Sequence, residues 1–471
     1  GLPAYADANK LKEKYGALEN VSRAHGKQYK DFSEVPFEEF KDSASTETPE
    51  YRDFWEFNNR EFAEYHKFLA DTIKAIAPDI PLNIKVMWYL SSIDDVNEQN
   101  RWKYGINHKW FSEAQDWNGN DCSLWITEVQ SGIKAPMSKS FFYDYQVGVK
   151  NAPVVNAEDH FIEDGSQNFS DDQYFHTASD MWMSCFHGRT MTQLWLWDRS
   201  YEGHFKNSIL FRPDCVEAVS TASFDINRLA KEAAAVINAK SDFAVLYSDT
   251  ARVYSRDHLN TAFKAYESLY YTGNKAHVLP EERLNEAYNY KALVIPNVRN
   301  ISRENLNIIL DYMAKGGKVL LMGNDNILKD ENNQDIEKEL SDKVYAAAES
   351  LATVSEGVLV KSPSNIEIRD FFHDYAKKLG GSRIGLIDPD TGKRLDNTEF
   401  EYGVYGDDII INCCNYEYRA PKKFKVYIDG AEQKCKITEL RSMKECENST
   451  VELPSVLPIM IKIEGAAKLI K

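Results

Sequence analysis

The chain has 471 residues, a hydrophobic content of 43% and a formal net charge of -17 at pH 7. This length exceeds the number of residues that usually fold around a single hydrophobic core. An average of about 150 residues per domain predicts about three domains. The acidic excess would repel nucleic acid and anionic membranes, and no apolar run reaches the roughly 20 residues of a membrane helix, so we expect a soluble protein, cytoplasmic or exported, without either partner.

The first half of the chain alternates helix and strand patterns. A charged helical stretch covers residues 7–16, and apolar residues at three- and four-residue spacing predict an amphipathic helix from Phe62 to Ile76 that stops before Pro78. Short β-rich runs follow at 82–87, 123–127, 152–155 and 192–197. Because helix-length segments separate these runs, the pattern predicts a parallel α/β layout.

The second half of the chain shows two different sequence patterns. Apolar strands at 243–247, 292–295 and 318–322 alternate with helix patterns, and the helix at 304–314 ends at Gly316-Gly317. This glycine pair precedes its strand, so it indicates a helix stop and not a phosphate loop. From about residue 400, short alternating runs with Asp-Gly and Pro predict an antiparallel β domain. We therefore expect domains at 1–235, 236–355 and 356–471.

Neither metal nor disulfide chemistry has a sequence signature. The seven cysteines are scattered without a Cys-x-x-Cys pair, and His160 and His176 lack a partner at zinc-site spacing. A Gly-x-Ser-x-Gly elbow, typical of Ser/His/Asp hydrolases, is also absent from the sequence. We predict no disulfide framework and no metal site.

A carboxylate and an imidazole, Glu158 and His160, follow the apolar run that begins at Pro153. In βα barrels the catalytic groups project from the C-terminal ends of strands, and a retaining glycosidase needs a carboxylate there as its nucleophile. A strand-ending glutamate can equally form a structural salt bridge. Glu128 also follows an apolar run and is a rival carboxylate.

Polar and aromatic residues that could bind a sugar occur in two further segments. Residues 115–121 combine amides, acids and an aromatic ring, although their Asn-Gly is also a common turn. The candidate substrate-binding residues of this loop are Asp116, Trp117, Asn118 and Asn120. Trp197 closes the run at 192–197 and could form the floor of a sugar subsite, whereas core packing is as good an interpretation for Trp195.

Taken in order, these segments resemble glycoside hydrolase family 42 and its clan, whose catalytic domain is a (β/α)8 barrel. Residues 11–26 look like the helix after the fourth strand of that barrel, and residues 77–87 look like the approach to strand five. On this resemblance residues 116–121 lie near strand six, 154–158 form strand seven and 193–197 form strand eight. Glu158 then matches the nucleophile.

The resemblance extends to the rest of the chain. Residues 224–229, followed by the doubly wound unit, are similar to the junction between barrel and trimerisation domain in these β-galactosidases. The resemblance implies a partial (β/α)8 barrel, a doubly wound α/β domain and a small antiparallel β domain. It also implies a retaining hydrolase of β-linked galactosides or related neutral sugars, without a cofactor, that assembles as a homo-oligomer such as a trimer.

One departure from the family pattern concerns the general acid/base. In the clan this glutamate follows an asparagine at the end of strand four, a position that would fall before Gly1. The pairs Asn97-Glu98 and Asn285-Glu286 follow no such strand. We therefore expect the chain to be the C-terminal part of the barrel, with the acid/base supplied from upstream.

Two other classes of function stay open. A non-catalytic carbohydrate-binding or assembly protein derived from such a barrel would explain the lack of an acid/base, but the presence of Glu158 weighs against it. The doubly wound unit could carry an amidotransferase-like activity of its own. Against that, no cysteine lies between Cys215 and Cys413 to act as its nucleophile.

Overall fold

The computed structural model describes residues 4–35, 48–86, 106–122, 137–160, 173–198, 202–203, 206, 208–351 and 365–470. Its secondary structure forms parallel α/β layers in the first three quarters of the chain and antiparallel sheets in the last quarter. The mixed α/β class predicted from the sequence is confirmed. None of the helices in the described ranges combines the length and hydropathy needed to cross a membrane.

The first layer holds three short parallel strands in the order β1-β2-β3. These strands are β1 (Asn118–Asn120), β2 (Val154–His160) and β3 (Arg189–Trp195). The helices of this part are α1 (Ala4–Tyr15), α2 (Leu18–His25), α3 (Pro49–Ile76), α4 (His108–Ser112), α5 (Ser138–Val149), α6 (Gln173–Phe186), α7 (Pro213–Arg228) and α8 (Ala230–Ile237). The strand–helix–strand order agrees with the predicted alternation.

Three of the predicted strand positions need correction. The run at 154–160 starts two residues later and ends five residues later than predicted, and β3 spans 189–195 instead of 192–197. Residues 82–86 lie beside β1 but form no strand, because the backbone amide of Ile84 donates to the side chain of Gln115 instead of joining a ladder. The predicted strand at 123–127 lies outside the described residues.

Helix α3 is nearly twice as long as the sequence pattern predicts. It begins at Pro49, where the Thr48 hydroxyl accepts from the backbone amide of Tyr51, and this cap satisfies one of the free N–H groups of the first turn. Its N-terminal half carries most of its buried residues, but the apolar face of its C-terminal half is exposed. The exposed apolar residues of this face are Phe62, Tyr65, Phe68, Leu69, Ile73 and Ile76.

The second layer is a five-stranded parallel sheet in the order β5-β4-β6-β7-β8. Its elements are β4 (Phe243–Tyr247), α9 (Asp249–Tyr254), α10 (Arg256–Tyr270), β5 (Ala276–Pro280), β6 (Ala292–Pro296), α11 (Arg303–Ala314), β7 (Lys318–Met322), α12 (Lys338–Ala347) and β8 (Glu349–Leu351). Alternate residues of β4 enter two separate apolar cores, one on each face. The parallel sheet that the sequence predicted here is present, and Gly316 takes the left-handed conformation expected after a helix.

The last part of the chain consists of one helix and antiparallel strands. The elements are α13 (Asn365–Lys378), β9 (Ile384–Ile387), β10 (Thr398–Tyr405), β11 (Asp408–Asn415), β12 (Lys422–Ile428), β13 (Ala431–Glu432), β14 (Ile437–Glu439), β15 (Lys444–Glu445), β16 (Val451–Leu453) and β17 (Ile459–Ile463). These strands form two sheets, one in the order β10-β11-β17-β14-β15 and one in which β12 pairs with β9, β13 and β16, and strands of both sheets enclose a common apolar core. Helix α13 instead contributes Ile368 and Phe372 to one of the cores of the parallel sheet.

Candidate functional site

The candidate site lies where β1 and β2 end. The two strands are parallel and in register, with Asn120 opposite Asn156. The residues that follow these two asparagines therefore project from the same edge of the sheet. Ligand atoms of Asp121, Glu158 and His160 all lie within 4.8 Å of one another. The structure thus brings Glu158 and His160 together, as the sequence predicted, and adds Asp121.

A bulge in β2 sets the direction of Glu158. Asn156 pairs with Thr192 and Asp159 with Leu194, so β2 carries one more residue than β3 over this stretch. The side-chain oxygen of Asn156 accepts from the backbone amide of Glu158 at 3.2 Å, which closes the bulge. Such bulges re-aim a side chain, and here the re-aimed side chain is the candidate nucleophile.

Both oxygens of the Glu158 carboxylate have a donor or an ionic partner. Oε2 contacts the ammonium of Lys85, and Oε1 lies 3.2 Å from Nε2 of His160. Partial burial alone would raise the pKa of Glu158, but the hydrogen bonds from Lys85 and His160 outweigh it and hold that pKa below its usual range. Glu158 is therefore ionised at neutral pH, as a nucleophile requires.

The pKa of Asp121 is displaced in the opposite direction from that of Glu158. Burial is the main cause that raises the pKa of Asp121, and the negative charge of Glu158 adds to it. Lys85 opposes both effects, because its Nζ lies 3.4 Å from Oδ2 of Asp121. Two neighbouring carboxyls with pKa values displaced in opposite directions are a common feature of acid–base sites.

The same donor set could be considered as a metal site. Two carboxylates and an imidazole are ligands for several divalent ions. In this structure, however, the Lys85 ammonium contacts Glu158 and Asp121 and already supplies the positive charge of the cluster. The arrangement is that of an ion-paired carboxylate cluster.

A second charged cluster lies on the opposite face of β2. Asp159 is fully buried and accepts from Lys139 at 2.7 Å, from Arg189 at 3.0 Å and from Thr192 at 2.7 Å. Burial would raise the pKa of Asp159, but the charges of Lys139 and Arg189 lower it. These contacts join α5, β2 and β3 on the face of β2 that lies opposite Glu158.

Two of the predicted sugar-binding amides have structural partners. The side chain of Asn118 donates to the carbonyls of Lys150 and Ala152, and Asn120 donates to Gln146. Both asparagines are buried. These contacts hold β1 against its neighbours, and sugar binding by the two amides stays a prediction.

Asp116 and Trp117 lie at the wrong end of β1 for the site. They precede the strand, whereas Glu158 lies in the C-terminal part of its parallel neighbour β2, past the last residue that pairs with β1. Asp116 is bonded to the backbone amide of Leu82 and to Lys74 at 2.7 Å. The strand separates this pair from the candidate nucleophile, so a role in sugar binding at Glu158 does not follow.

Of the two tryptophans, Trp195 is the one that adjoins the site. Its ring centroid lies 5.5 Å from that of His160, while Trp197 follows the end of β3 and is 46% exposed. Sequence reasoning also missed Lys85 and did not single out Asp121, although Asp121 directly follows a strand. The rival Glu128 lies outside the described residues.

Comparison of the sequence finds no matching family model and no match among curated proteins. Solved structures do match. An apo exo-carrageenase of glycoside hydrolase family 42 from Bacteroides ovatus superimposes with a TM-score of 0.80 and 19% identity over 98% of this chain. The β-galactosidases from Bacillus circulans sp. alkalophilus and Rahnella sp. R3 each give a TM-score of 0.72 and 14% identity over 98% and 97% of this chain.

The chain therefore shares its fold with solved carbohydrate-active hydrolases. Specifically, it has the fold of family 42 glycoside hydrolases over nearly its whole length, which confirms the resemblance stated from the sequence. The chain spans 62% of the exo-carrageenase, and 76% and 75% of the two β-galactosidases.

Proposed function

We propose that this chain carries the nucleophile of a retaining glycoside hydrolase that acts on β-linked galactosides or related neutral sugars. The observation that carries the proposal is the ionised carboxylate of Glu158, which a bulge directs from the C-terminal end of a parallel strand. Strand ends of this kind hold the catalytic groups of βα barrels. The shared fold with family 42 structures supports the class, and galactose is proposed from that likeness.

In the proposed reaction Glu158 attacks the anomeric carbon and displaces the aglycone, which leaves with the bonding electrons. A general acid protonates the departing oxygen, and water then releases the sugar from Glu158 with the same residue as base. Retention requires the two carboxyls roughly 5 to 5.5 Å apart, one on each side of the bond. We propose that this acid/base is supplied by βα units outside residues 1–471, and the exposed apolar face of α3 supports their packing there.

The nucleophile role can be tested without the acid. A 2,4-dinitrophenyl 2-deoxy-2-fluoro-β-galactoside loses dinitrophenolate unaided: the C1–O bond breaks towards the phenolate while a C1–Oε bond to Glu158 forms. We expect intact-mass analysis to show one added fluoroglycosyl group, and peptide mapping to place it on Glu158. The variant Glu158→Gln should take up none.

A matched control is Asp116→Asn, which removes a carboxylate from the other end of β1. This variant should be labelled like the wild type. Labelling of Glu158→Gln at the wild-type rate would rule out the nucleophile role. The corresponding glucoside and mannoside, tested in parallel, would show whether galactose is preferred.

A second candidate is a non-catalytic carbohydrate-binding or assembly protein. One observation favours it: both oxygens of Glu158 are engaged, and Asp121, the neighbouring described carboxylate, is joined to the same lysine instead of facing Glu158 across a gap. Saturable binding of oligosaccharides without covalent labelling would support this candidate. A homo-oligomer, with a trimer as the form suggested by the family resemblance, is proposed for either function, and light scattering would measure it.

A further inference from the structure

We infer that Lys85 is a positioning residue for Glu158: its ammonium, anchored by Asp121, holds one carboxylate oxygen in place and supplies the positive charge that lets two adjacent carboxylates coexist. Lys85 comes from residues 82–86, and Glu158 lies 73 positions further along the chain. The catalytic meaning of this contact rests on the proposed function, while the ion pair can be tested independently.

The backbone around Lys85 is held in a defined register. The amides of Asp116 and Trp117 donate to the carbonyl of Leu82, and the amide of Asp121 donates to the carbonyl of Val86. Lys85 therefore sits one residue before the point where its own segment is bonded to Asp121. This register brings the lysine to the edge of the sheet where β1 and β2 end.

Gly119 allows this close approach. A Cβ at position 119 would lie 2.3 Å from the backbone carbonyl oxygen of Ile84, which is closer than real Cβ atoms come to other atoms. The side-chain oxygen of Gln115 accepts from the amides of both Ile84 and Gly119 and so joins the two segments. The position of Lys85 follows from packing around a residue without a side chain.

Among the residues that the structure describes, the groups that face the Glu158 carboxylate form a small set. They are Lys85 on Oε2, His160 on Oε1 and Asp121 beyond the lysine. Lys139 and Arg189 lie on the other face of β2, where they bind Asp159. Lys85 is thus the cation shared by the two carboxylates at the candidate site.

Removal of this cation should have a specific consequence. Without the lysine, the carboxylates of Asp121 and Glu158, whose oxygens come within 4.8 Å of each other, repel each other. This repulsion raises the pKa of one of them. An opposite charge within 4 to 6 Å lowers the pKa of a carboxyl by roughly 1 to 3 units, so its loss should raise that of Glu158 by about 1 to 2 units. A protonated Glu158 would no longer be a nucleophile.

The direct test follows the carboxyl carbon of Glu158 by NMR in protein with 13C-labelled glutamate, with Glu158→Gln to assign the signal. In Lys85→Met we expect its titration midpoint to move up by about 1 to 2 units, and Lys85→Arg should restore most of the wild-type value. The control is Lys74→Met, which removes the lysine of the Lys74–Asp116 ion pair at the other end of β1. An unchanged midpoint in Lys85→Met would overturn the inference.

The pH profile of fluoroglycoside labelling separates this inference from the proposed function. If the wild type is labelled on Glu158, the acid limb of the labelling rate should move to higher pH in Lys85→Met and return in Lys85→Arg. Labelling with identical profiles in all variants would refute the role of Lys85 and leave the nucleophile assignment intact. A shifted NMR midpoint in a protein that is never labelled would support Lys85 and reject the proposed function.

Discussion

At the scale of single residues, Asp159 illustrates how the candidate site is supported from behind. It is fully buried and forms ion pairs with Lys139 and Arg189, which are themselves buried. Buried charges of this kind are tolerated only when they are paired and hydrogen-bonded. The ionic cluster therefore serves to hold β2 in place, one residue away from Glu158.

We expect Asp159→Asn to be strongly destabilising, because it leaves Asp180 alone to balance two buried cations. Breaking a buried ion pair by removal of one partner costs about 3 to 5 kcal/mol. Urea-induced unfolding followed by circular dichroism would measure the change. The control is Asp71→Asn, which removes an exposed partner of Lys67 and should leave the free energy of unfolding nearly unchanged. Equal stabilities of the two variants would contradict this account.

At the scale of elements, one glycine determines how closely α5 packs on β5. A Cβ at Gly148 would lie 2.1 Å from the backbone carbonyl oxygen of Val278. The carbonyl of Gly148 also accepts from Arg283 at 2.6 Å. Helix α5, which adjoins the candidate site, thus packs on the five-stranded parallel sheet through a direct contact between the two backbones.

Gly148→Ala tests this contact, since two effects of opposite sign compete. Alanine favours a helix over glycine by about 1 kcal/mol, whereas overpacking typically costs about 1 to 3 kcal/mol. Because the clash is with backbone, we expect a net loss of stability in chemical denaturation. Gly385→Ala is the matched control, as its Cβ would meet only the Ile387 side chain at 3.6 Å. A more stable Gly148→Ala variant would show that α5 can shift.

At the scale of the whole molecule, charged residues lie buried where the first layer, the parallel sheet and the antiparallel strands meet. His187 is bonded to Asp144 of α5 and to Glu399 of β10. On the same strand, Glu401 is buried, and neither of its oxygens has a hydrogen-bond partner within the described residues. The nearest cation to Glu401 is Lys275, at 3.5 Å.

Glu401 should make stability depend on pH. Burial raises its pKa to about 7 against the opposing charge of Lys275. The folded protein therefore binds this proton more tightly than the unfolded chain, so the stability from Glu401 is full below about pH 4.5 and is lost as the pH rises to about 7. That shift corresponds to about 3 kcal/mol. Thermal midpoints of Glu401→Gln should fall less between pH 5 and 8 than those of the wild type, and parallel curves would contradict the assignment.

The sequence by itself determined the elements whose pattern is local. The strands Phe243–Tyr247 and Lys318–Met322 were predicted with their observed bounds, because a strand buried on both faces is a continuous apolar run. The helix stop at Gly316 was predicted for a similar reason, since only glycine adopts that backbone conformation without strain. A carboxylate at the end of a strand, Glu158, is also a local feature.

Only the tertiary structure decided which residues meet Glu158. Lys85 and Asp121 reach it from separate segments, through strand register and the close approach at Gly119, neither of which leaves a pattern in the sequence. The tertiary structure likewise gave Asn118 backbone partners, gave Asn120 the side chain of Gln146 as partner, and left the apolar face of α3 exposed. The physical reason is that periodicity records which side of an element is apolar, whereas contacts across the fold depend on how distant elements pack.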